Sequence, residues 1–539
     1  MVVPELRPWR AAKPHVVRLA DAVRPRLARV AAATKPQVAR LARATKPQVA
    51  RLARAGKPQV ARVALPKTWQ YTAGAATAGL ALAAGVVTAA GPWDSSGQRT
   101  AERDRAVALG RAGGADHGSA PGAPGRPRPA PSAGPVLTGL GGVSTVKSAP
   151  ESKALAGALD PLLKDPALGT RPAAAVIDVT TGRRLYGSGS GTGLTPASTT
   201  KVATAVAALS AMGTDHRLTT RAALEPDTKE VVLVGGGDPT LTAREKAEGS
   251  ASLRTLAAGT AAALADRGVR EVTLSYDTTL YAGDEMHPIG VDGNLARVTP
   301  LMADEGRTDD STSGPVARVP DPAADAARRF GDFLKSHGIK TTAPGPSKAT
   351  TRAKTLATAS SPPLSTLVER MLTNSDNDIA EALARLTAIA TGDRADFAGA
   401  GKAIGSQLRK LGLPVRGAAF KDGSGLNRAD RLTPDLLTAL LAKAADPSHP
   451  ELRPALTGLP VAGFTGTLTT RYTDGASGVV RAKTGTLSGV HTLAGTLVDA
   501  DGRLLAFAFM ANGTDGILPT TTQKALDRIA TALAACGCR

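Results

Sequence analysis

Residues 94–150 constrain this chain more than any other stretch, because they cannot form a packed core. Gly, Pro, Ala and Ser dominate them, as in Ala120-Pro121-Gly122-Ala123-Pro124-Gly125 and Arg126-Pro127-Arg128-Pro129. Such a composition buries too little apolar surface to offset the entropy of ordering, so it reads as a disordered linker. The linker divides the 539 residues into an N-terminal part, 1–93, and a globular part from about 150 to the end.

The N-terminal part carries most of the chain's charge. The net formal charge is +20, yet residues 1–68 alone hold 16 Lys/Arg against 2 Asp/Glu. The remainder is near balance, which argues against a nucleic-acid-binding globular domain. Within this tail, Lys35-Pro36-Gln37-Val38-Ala39-Arg40 recurs at Lys46 and at Lys57, a period of 11 residues. Proline in each unit permits short helices and forbids one long one. The repeats read equally as a disordered basic tail or as an amphipathic array on a membrane surface, with anionic lipid or nucleic acid as partner. Residues 73–91 are then 19 uncharged positions with Trp69 and Tyr71 before them and Trp93 after. That length spans a bilayer, and the aromatics fall where interfacial belts lie. The charge asymmetry puts the tail in the cytoplasm and the globular part outside. A small-residue site at Val87-Thr88-Ala89 allows a cleaved signal peptide, but the charged leader is long for one, which favours an uncleaved anchor at 69–93. The only cysteines are Cys536 and Cys538, in a terminal Cys-Gly-Cys. They read as a frayed end, an intermolecular bridge or a local disulfide. Nothing has zinc-ligand spacing, so neither metal nor cofactor is expected.

In the globular part, periodicity predicts a strand at 173–179 and an apolar helix over 196–212. A short buried strand follows at 231–234, then a hairpin of 493–498 with 504–510 about Asp501-Gly502, and a closing amphipathic helix. Strands near both ends with helices between indicate an α+β (α/β sandwich) domain whose termini meet and whose middle is an insertion.

Three short motifs carry the chemistry. Ser198-Thr199-Thr200-Lys201 opens the first helix. Residues three apart share a helix face, so the Lys201 amine can reach the Ser198 hydroxyl and serve as its base when neutral. Taken alone, such a motif is usually an N-cap followed by a solvated lysine. Ser375-Asp376-Asn377 opens another helix, and Lys483-Thr484-Gly485-Thr486 lies on a late strand. Each again has a bland reading, as a cap and as an ordinary strand. The order Ser-x-x-Lys, Ser-Asp-Asn, Lys-Thr-Gly is what penicillin-binding proteins and serine β-lactamases share.

With the further stretches Val232-Leu233-Val234-Gly235-Gly236-Gly237-Asp238-Pro239-Thr240-Leu241, Asp422-Gly423-Ser424-Gly425-Leu426-Asn427-Arg428 and Leu432-Thr433-Pro434, residues 150–539 resemble one family in particular. It is the D-alanyl-D-alanine carboxypeptidase/endopeptidase family of the penicillin-binding protein 4 type. The resemblance implies a β-lactamase/transpeptidase-like serine acyltransferase domain at 151–225 and 360–539, with a smaller α/β domain inserted at 226–359. The 177 positions from Ser198 to Ser375 are fewer than the family usually has, which points to a reduced insertion.

By this resemblance Ser198 is the acylated nucleophile and Lys201 its base. Ser375 and Asn377 relay the proton and hold the substrate amide. Lys483, Thr484 and Thr486 bind the terminal carboxylate, with Gly485 giving the substrate backbone room. The Ser198 and Thr486 N–H groups form the oxyanion hole. Arg428 and Asp277 hold the far end of the peptide, although Asp277 also reads as a turn residue. The implied activity is penicillin-sensitive D-Ala-D-Ala carboxypeptidase action on peptidoglycan stem peptides, with endopeptidase preference left open. The β-lactams would be its inhibitors, and the location would be the outer face of the cytoplasmic membrane. A β-lactamase, with less sequence between the first two motifs, and a non-catalytic wall scaffold are the rival readings.

Overall fold

A computed structural model describes residues 152–472 and 475–537. The expectations for the basic tail 1–68, the apolar segment 69–93, the linker 94–150 and Cys538 fall outside the described residues. Among the described residues, no helix is long and apolar enough to cross a membrane.

Helix α1 (Ser152–Leu163) leads into strands β1 (Arg171–Asp178) and β2 (Arg184–Ser188), then α2 (Thr200–Met212). Next come β3 (Thr219–Leu224), β4 (Glu230–Val234), α3 (Leu253–Ala265), β5 (Glu271–Asp277), α4 (Pro322–Ser336), β6 (Lys340–Thr341), β7 (Gly345–Pro346) and β8 (Lys354–Ser360). Helices α5 (Leu364–Asn374), α6 (Asn377–Thr391), α7 (Phe397–Lys410) and α8 (Pro434–Ala445) follow. Strands β9 (Arg481–Leu487), β10 (Val490–Val498) and β11 (Leu504–Asn512) and helix α9 (Pro519–Ala535) close the chain.

The strands form two sheets. The first has the order β2-β1-β11-β10-β9, so the first strand lies between its sequence neighbour and the last strand. Arg171 pairs with Asn512 and Asp178 with Leu505 in antiparallel register. Alternate residues point to opposite faces of a strand. On β11, Leu505, Phe507, Phe509 and Ala511 therefore pack with Leu155 and Leu159 of α1 and Ile529 and Leu533 of α9. Ala506, Ala508 and Met510 face the other way, onto Val202 and Val206 of α2, Leu383 of α6 and Leu440 of α8. With helices on both faces, these strands are apolar at nearly every position, which is why they read as continuous runs. Each fully buried Phe or Leu contributes about 1.5–3 kcal/mol of burial energy.

The second sheet has the order β6-β5-β4-β3-β8, with β7 also on β5. Strands β4 and β5 are parallel, as the crossover through α3 requires. Leu256 and Leu264 of α3, with Phe330 and Leu334 of α4, cover Leu233 and Leu274. This sheet begins earlier than the expected boundary at 226. Strand β3 pairs with β4 on one side and β8 on the other, so it belongs to the inserted domain. An antiparallel partner close in sequence outweighs continuity with α2.

The Gly235-Gly236-Gly237-Asp238 stretch is where the two halves press together. Gly237 has φ +83, and a Cβ there would stand 3.1 Å from Leu386 Cδ2 of α6. Asp238 is buried and receives the Thr240 N–H and hydroxyl. This stretch is thus an architectural joint.

Candidate active site

Ser198 lies in a short 3-10 turn, Ala197–Thr199, directly before α2. Ala197 has φ 49, left-handed backbone that a non-glycine residue seldom adopts. Such strain persists where surrounding contacts over-determine it. Here β10 supplies them: the Thr492 hydroxyl donates to the Pro196 carbonyl at 2.8 Å. Gly485 of β9 passes so close that a Cβ there would meet Thr492 Oγ1 at 2.1 Å and the Pro196 oxygen at 2.7 Å. Glycine at this position lets the Lys-Thr-Gly strand lie against the turn that carries Ser198.

The Ser198 hydroxyl does not cap the helix. Thr199 occupies the cap position, with no side-chain cap bond. Instead Lys201 Nζ donates to Ser198 Oγ at 3.1 Å. The same ammonium donates to Asn377 Oδ1 at 2.6 Å and to the Ser424 carbonyl at 2.8 Å. Lys201 is fully buried. Burial lowers its pKa from the ordinary 10.5 to about 8, against the opposing pull of Asp422, Glu381, Asp376 and Asp378. A lysine so held can be neutral at only mildly alkaline pH, as a base for serine must be.

The second motif straddles two helices. Ser375 ends α5 in left-handed conformation, at φ 58 and ψ 38. Asp376 caps α6 by accepting the Ile379 N–H at 3.0 Å. The capping reading therefore holds for the aspartate alone. Asn377, the first residue of α6, turns its oxygen to Lys201 and donates its Nδ2 to the Asn294 carbonyl of the inserted domain at 2.9 Å.

In the third motif, Lys483 is also fully buried. Burial and the neighbouring Lys201 charge hold its pKa well below the ordinary lysine value. It donates to the Thr484 carbonyl at 2.9 Å, and Thr484 Oγ1 meets Thr467 Oγ1 at 2.9 Å. Ser198, Ser375, Asn377, Thr484 and Thr486 line one cavity of about 470 Å³, together with Asn294, Leu426, Leu487, Arg307 and Arg318.

Two expected residues stand elsewhere. Asp277 ends β5 inside the second sheet. One carboxylate oxygen receives the Thr279 N–H at 2.7 Å and the other the Ala349 N–H at 3.0 Å. It is a turn residue, and it does not line the cavity. Arg428 is exposed, and both its Nη groups donate to the Ser488 carbonyl, at 3.0 and 2.5 Å. It ties the 422–428 loop to the β9–β10 turn and is not a wall of the cavity.

Sequence reasoning missed the support behind Lys201. Glu381 receives the Gly423 N–H at 3.1 Å and the Ser424 N–H at 2.8 Å. Asp422 receives the N–H groups of Gly425 at 2.7 Å and Asn427 at 2.6 Å, and pairs with His287 Nε2 at 2.9 Å. The Asp-Gly-Ser-Gly stretch was a visible turn signal for Asp422; Glu381 and His287 carried none. Two groups, His287–Glu381–Asp422 and Glu305–Asp376–Asp378, have the residue types and spacing for a metal ion. Most of their oxygens already serve backbone N–H groups and, in the second group, Arg307, Arg318 and Arg370, while Asp376 Oδ2 has only Arg370 Nε at 3.8 Å.

A serine hydrogen-bonded to a buried lysine one helical turn on, between an asparagine and a Lys-Thr-Gly strand, defines a serine hydrolase that works through an acyl-enzyme. The chain matches the D-Ala-D-Ala carboxypeptidase 3 (S13) family over residues 155–314 and 308–533, and it belongs to that family. It is 35% identical to a carboxypeptidase of Mycobacterium tuberculosis over 76% of this chain and 90% of that protein. It is 36% identical to carboxypeptidase DacB of Mycolicibacterium smegmatis, with the same coverage. A D-alanyl-D-alanine carboxypeptidase of Actinomadura is 31% identical over 68% of this chain and 82% of that protein. In fold, the chain resembles penicillin binding protein 4 of Haemophilus influenzae with a TM-score of 0.57 at 22% identity, covering 71% of this chain and 98% of that one.

Proposed function

We propose that this protein removes the terminal D-Ala from peptidoglycan stem peptides through an acyl-enzyme on Ser198. The observation that carries the reading is the placement of Lys201 Nζ against both Ser198 Oγ and Asn377 Oδ1. Neutral Lys201 takes the Ser198 proton while Oγ bonds to the carbonyl carbon of the penultimate D-Ala. The resulting oxyanion is received by the backbone N–H groups of Ser198 and Thr486, both at the cavity. The intermediate collapses, the C–N bond breaks, and the proton passes from Lys201 through Ser375 to the departing amine. Lys483, Thr484 and Thr486 hold the leaving residue's carboxylate. A water then enters and gives its proton to Lys201 as its oxygen adds to the ester carbonyl; collapse breaks the C–Oγ bond, Lys201 returns the proton to Ser198, and the shortened peptide leaves.

A β-lactam forms the same ester, but its amine stays tethered, so the acyl-enzyme persists. Intact-protein mass spectrometry after incubation with penicillin G tests the reading. One added acyl group mapped to Ser198, and absent in Ser198→Ala, is the expected result. Labelling elsewhere refutes the assignment, and rapid nitrocefin turnover without trapping would make the protein a β-lactamase. Arg428, tied to Ser488 beside the cavity wall at Leu487, remains our candidate for the far end of the peptide.

The proposed location is the outer face of the cytoplasmic membrane, anchored by residues 69–93 with the tail inside. The uncharged 73–91 segment and the basic excess before it support this reading. Protease added to wall-stripped cells should digest the domain beyond 150 and spare residues 1–68; protection of the domain refutes it.

A further inference from the structure

One segment of the inserted domain, residues 281–296, is laced onto the catalytic half. Arg385 of α6 donates to the Ala282 carbonyl at 2.6 Å and the Asp284 carbonyl at 2.9 Å. At the other end, the Asn294 carbonyl receives Asn377 Nδ2, and the Ala296 N–H donates to Asp378 Oδ1 at 3.0 Å. Between these ties, His287 is buried, its ring perpendicular to that of Phe397 with centroids 5.3 Å apart. Its Nδ1 accepts the Ile289 N–H at 3.2 Å. A ring nitrogen that accepts carries no proton, so the proton is on Nε2, which donates to Asp422 Oδ2.

Asp422 opens the turn 422–427. With one side on His287, it collects the N–H groups of Gly425 and Asn427 and fixes the turn between them. Asp430, pushed up to about 10 by burial and by Asp422, is a neutral acid beside it. Glu381 holds the same turn from α6. The turn's product is the Ser424 carbonyl, which receives Lys201 at 2.8 Å. A catalytic group is only as well placed as the atoms that hold it, and an ångström of drift lowers rate without abolishing binding.

We propose that His287 is a positioning residue for acyl transfer, holding through Asp422 the turn whose Ser424 carbonyl orients Lys201. Through His287, which is not part of the cavity wall, the inserted domain thereby supplies part of the catalytic apparatus. This rests on Ser198 and Lys201 being the acylating pair.

The test compares His287→Ala and His287→Gln with the full-length wild-type chain. Penicillin G acylation kinetics are resolved into a dissociation constant and a first-order acylation rate, with thermal unfolding midpoints alongside. In His287→Ala the acylation rate should fall by about tenfold or more, with the dissociation constant changed less than about threefold. Glutamine places an amide nitrogen near the Nε2 position, so His287→Gln should recover to within about threefold of wild type. A wild-type rate in His287→Ala, or equal loss in both variants, overturns the proposal. If His287→Ala does not fold, His287→Gln decides alone, a loss of about tenfold or more refuting it. Failure of wild type to acylate at Ser198 would overturn the acylating pair instead, so the two readings fail separately.

Discussion

Because Lys201 can take the Ser198 proton only when uncharged, acylation follows its titration. With its pKa lowered to about 8 by burial, the rate should climb about tenfold per pH unit below that value and level off above it. Glu381 is one of the acids that oppose this lowering, so Glu381→Gln should move the rising limb to lower pH. The pH dependence of penicillin acylation in both proteins reads this directly. A limb unmoved in Glu381→Gln would remove that acid from the lysine's field. The same burial sets a stability slope. Between about 8 and the ordinary 10.5 the unfolded chain binds the Lys201 proton and the folded chain does not. Stability contributed by this group therefore rises with pH across that window. The task proposed for Lys483, holding the terminal carboxylate, is separate. Truncating one partner of a fixed charge pair costs roughly 2–5 kcal/mol, and about 1.4 kcal/mol is tenfold. Lys483→Ala should cut kcat/KM for a D-Ala-D-Ala peptide by about two to three orders of magnitude. A peptide ester without the terminal carboxylate should lose much less. Equal losses would place Lys483 on the proton path.

Helix α6 is the element on which the two halves of the molecule meet. Its first residue, Asn377, faces Lys201; its second, Asp378, is buried against Arg318 of the inserted domain at 3.0 Å. Arg318 also donates to the Glu305 carbonyl, and Arg370 of α5 pairs with the Glu305 side chain. Removing one partner of a buried pair leaves the other charge uncompensated, at a cost of about 3–5 kcal/mol. Arg318→Ala should lose that much stability in a urea or thermal melt. It should also slow acylation, because the start of α6 would no longer be held. Loss of stability with undiminished acylation would show that Asn377 is placed from the catalytic side alone. The chain offered little warning of this pairing. Asp376 and Asp378 are ordinary residues for the start of a helix, and only the inserted domain turns the second into an anchor.

At the scale of the whole molecule, the catalytic sheet takes β1 from the start of the globular part and β9–β11 from its end, with two of the apolar cores built on it. The described residues hold every side chain assigned to the chemistry. A protein of residues 152–537 should therefore fold and acylate penicillin at a rate within about twofold of the full chain, as small domains do with an intact core of their own. A fluorescent-penicillin assay checks this. An inactive but folded fragment would give the N-terminal part a role in the site itself.

The motifs of the site were legible in the chain because each is local. Ser198 and Lys201 meet by helical periodicity, and Asp376 caps by its residue type; Gly485 marks a close approach, but of the Pro196 turn and Thr492 rather than of a substrate backbone. The meeting of the two ends of the globular part was legible too, since continuous apolar runs near both have nowhere to be buried except against each other. Asp277 and Arg428 were assigned by position in the chain, and for Asp277 two backbone N–H groups decided otherwise. The inner boundary of the inserted domain was set by hydrogen bonding of β3, which no local pattern distinguishes from a strand of the first sheet. His287, Glu381 and Asp422 became one unit only when the fold brought together positions 287, 381 and 422. Local sequence determines which groups can do the chemistry. Burial and long-range hydrogen bonds, which exist only in the tertiary structure, decide the protonation state of Lys201 and which atoms hold it in place.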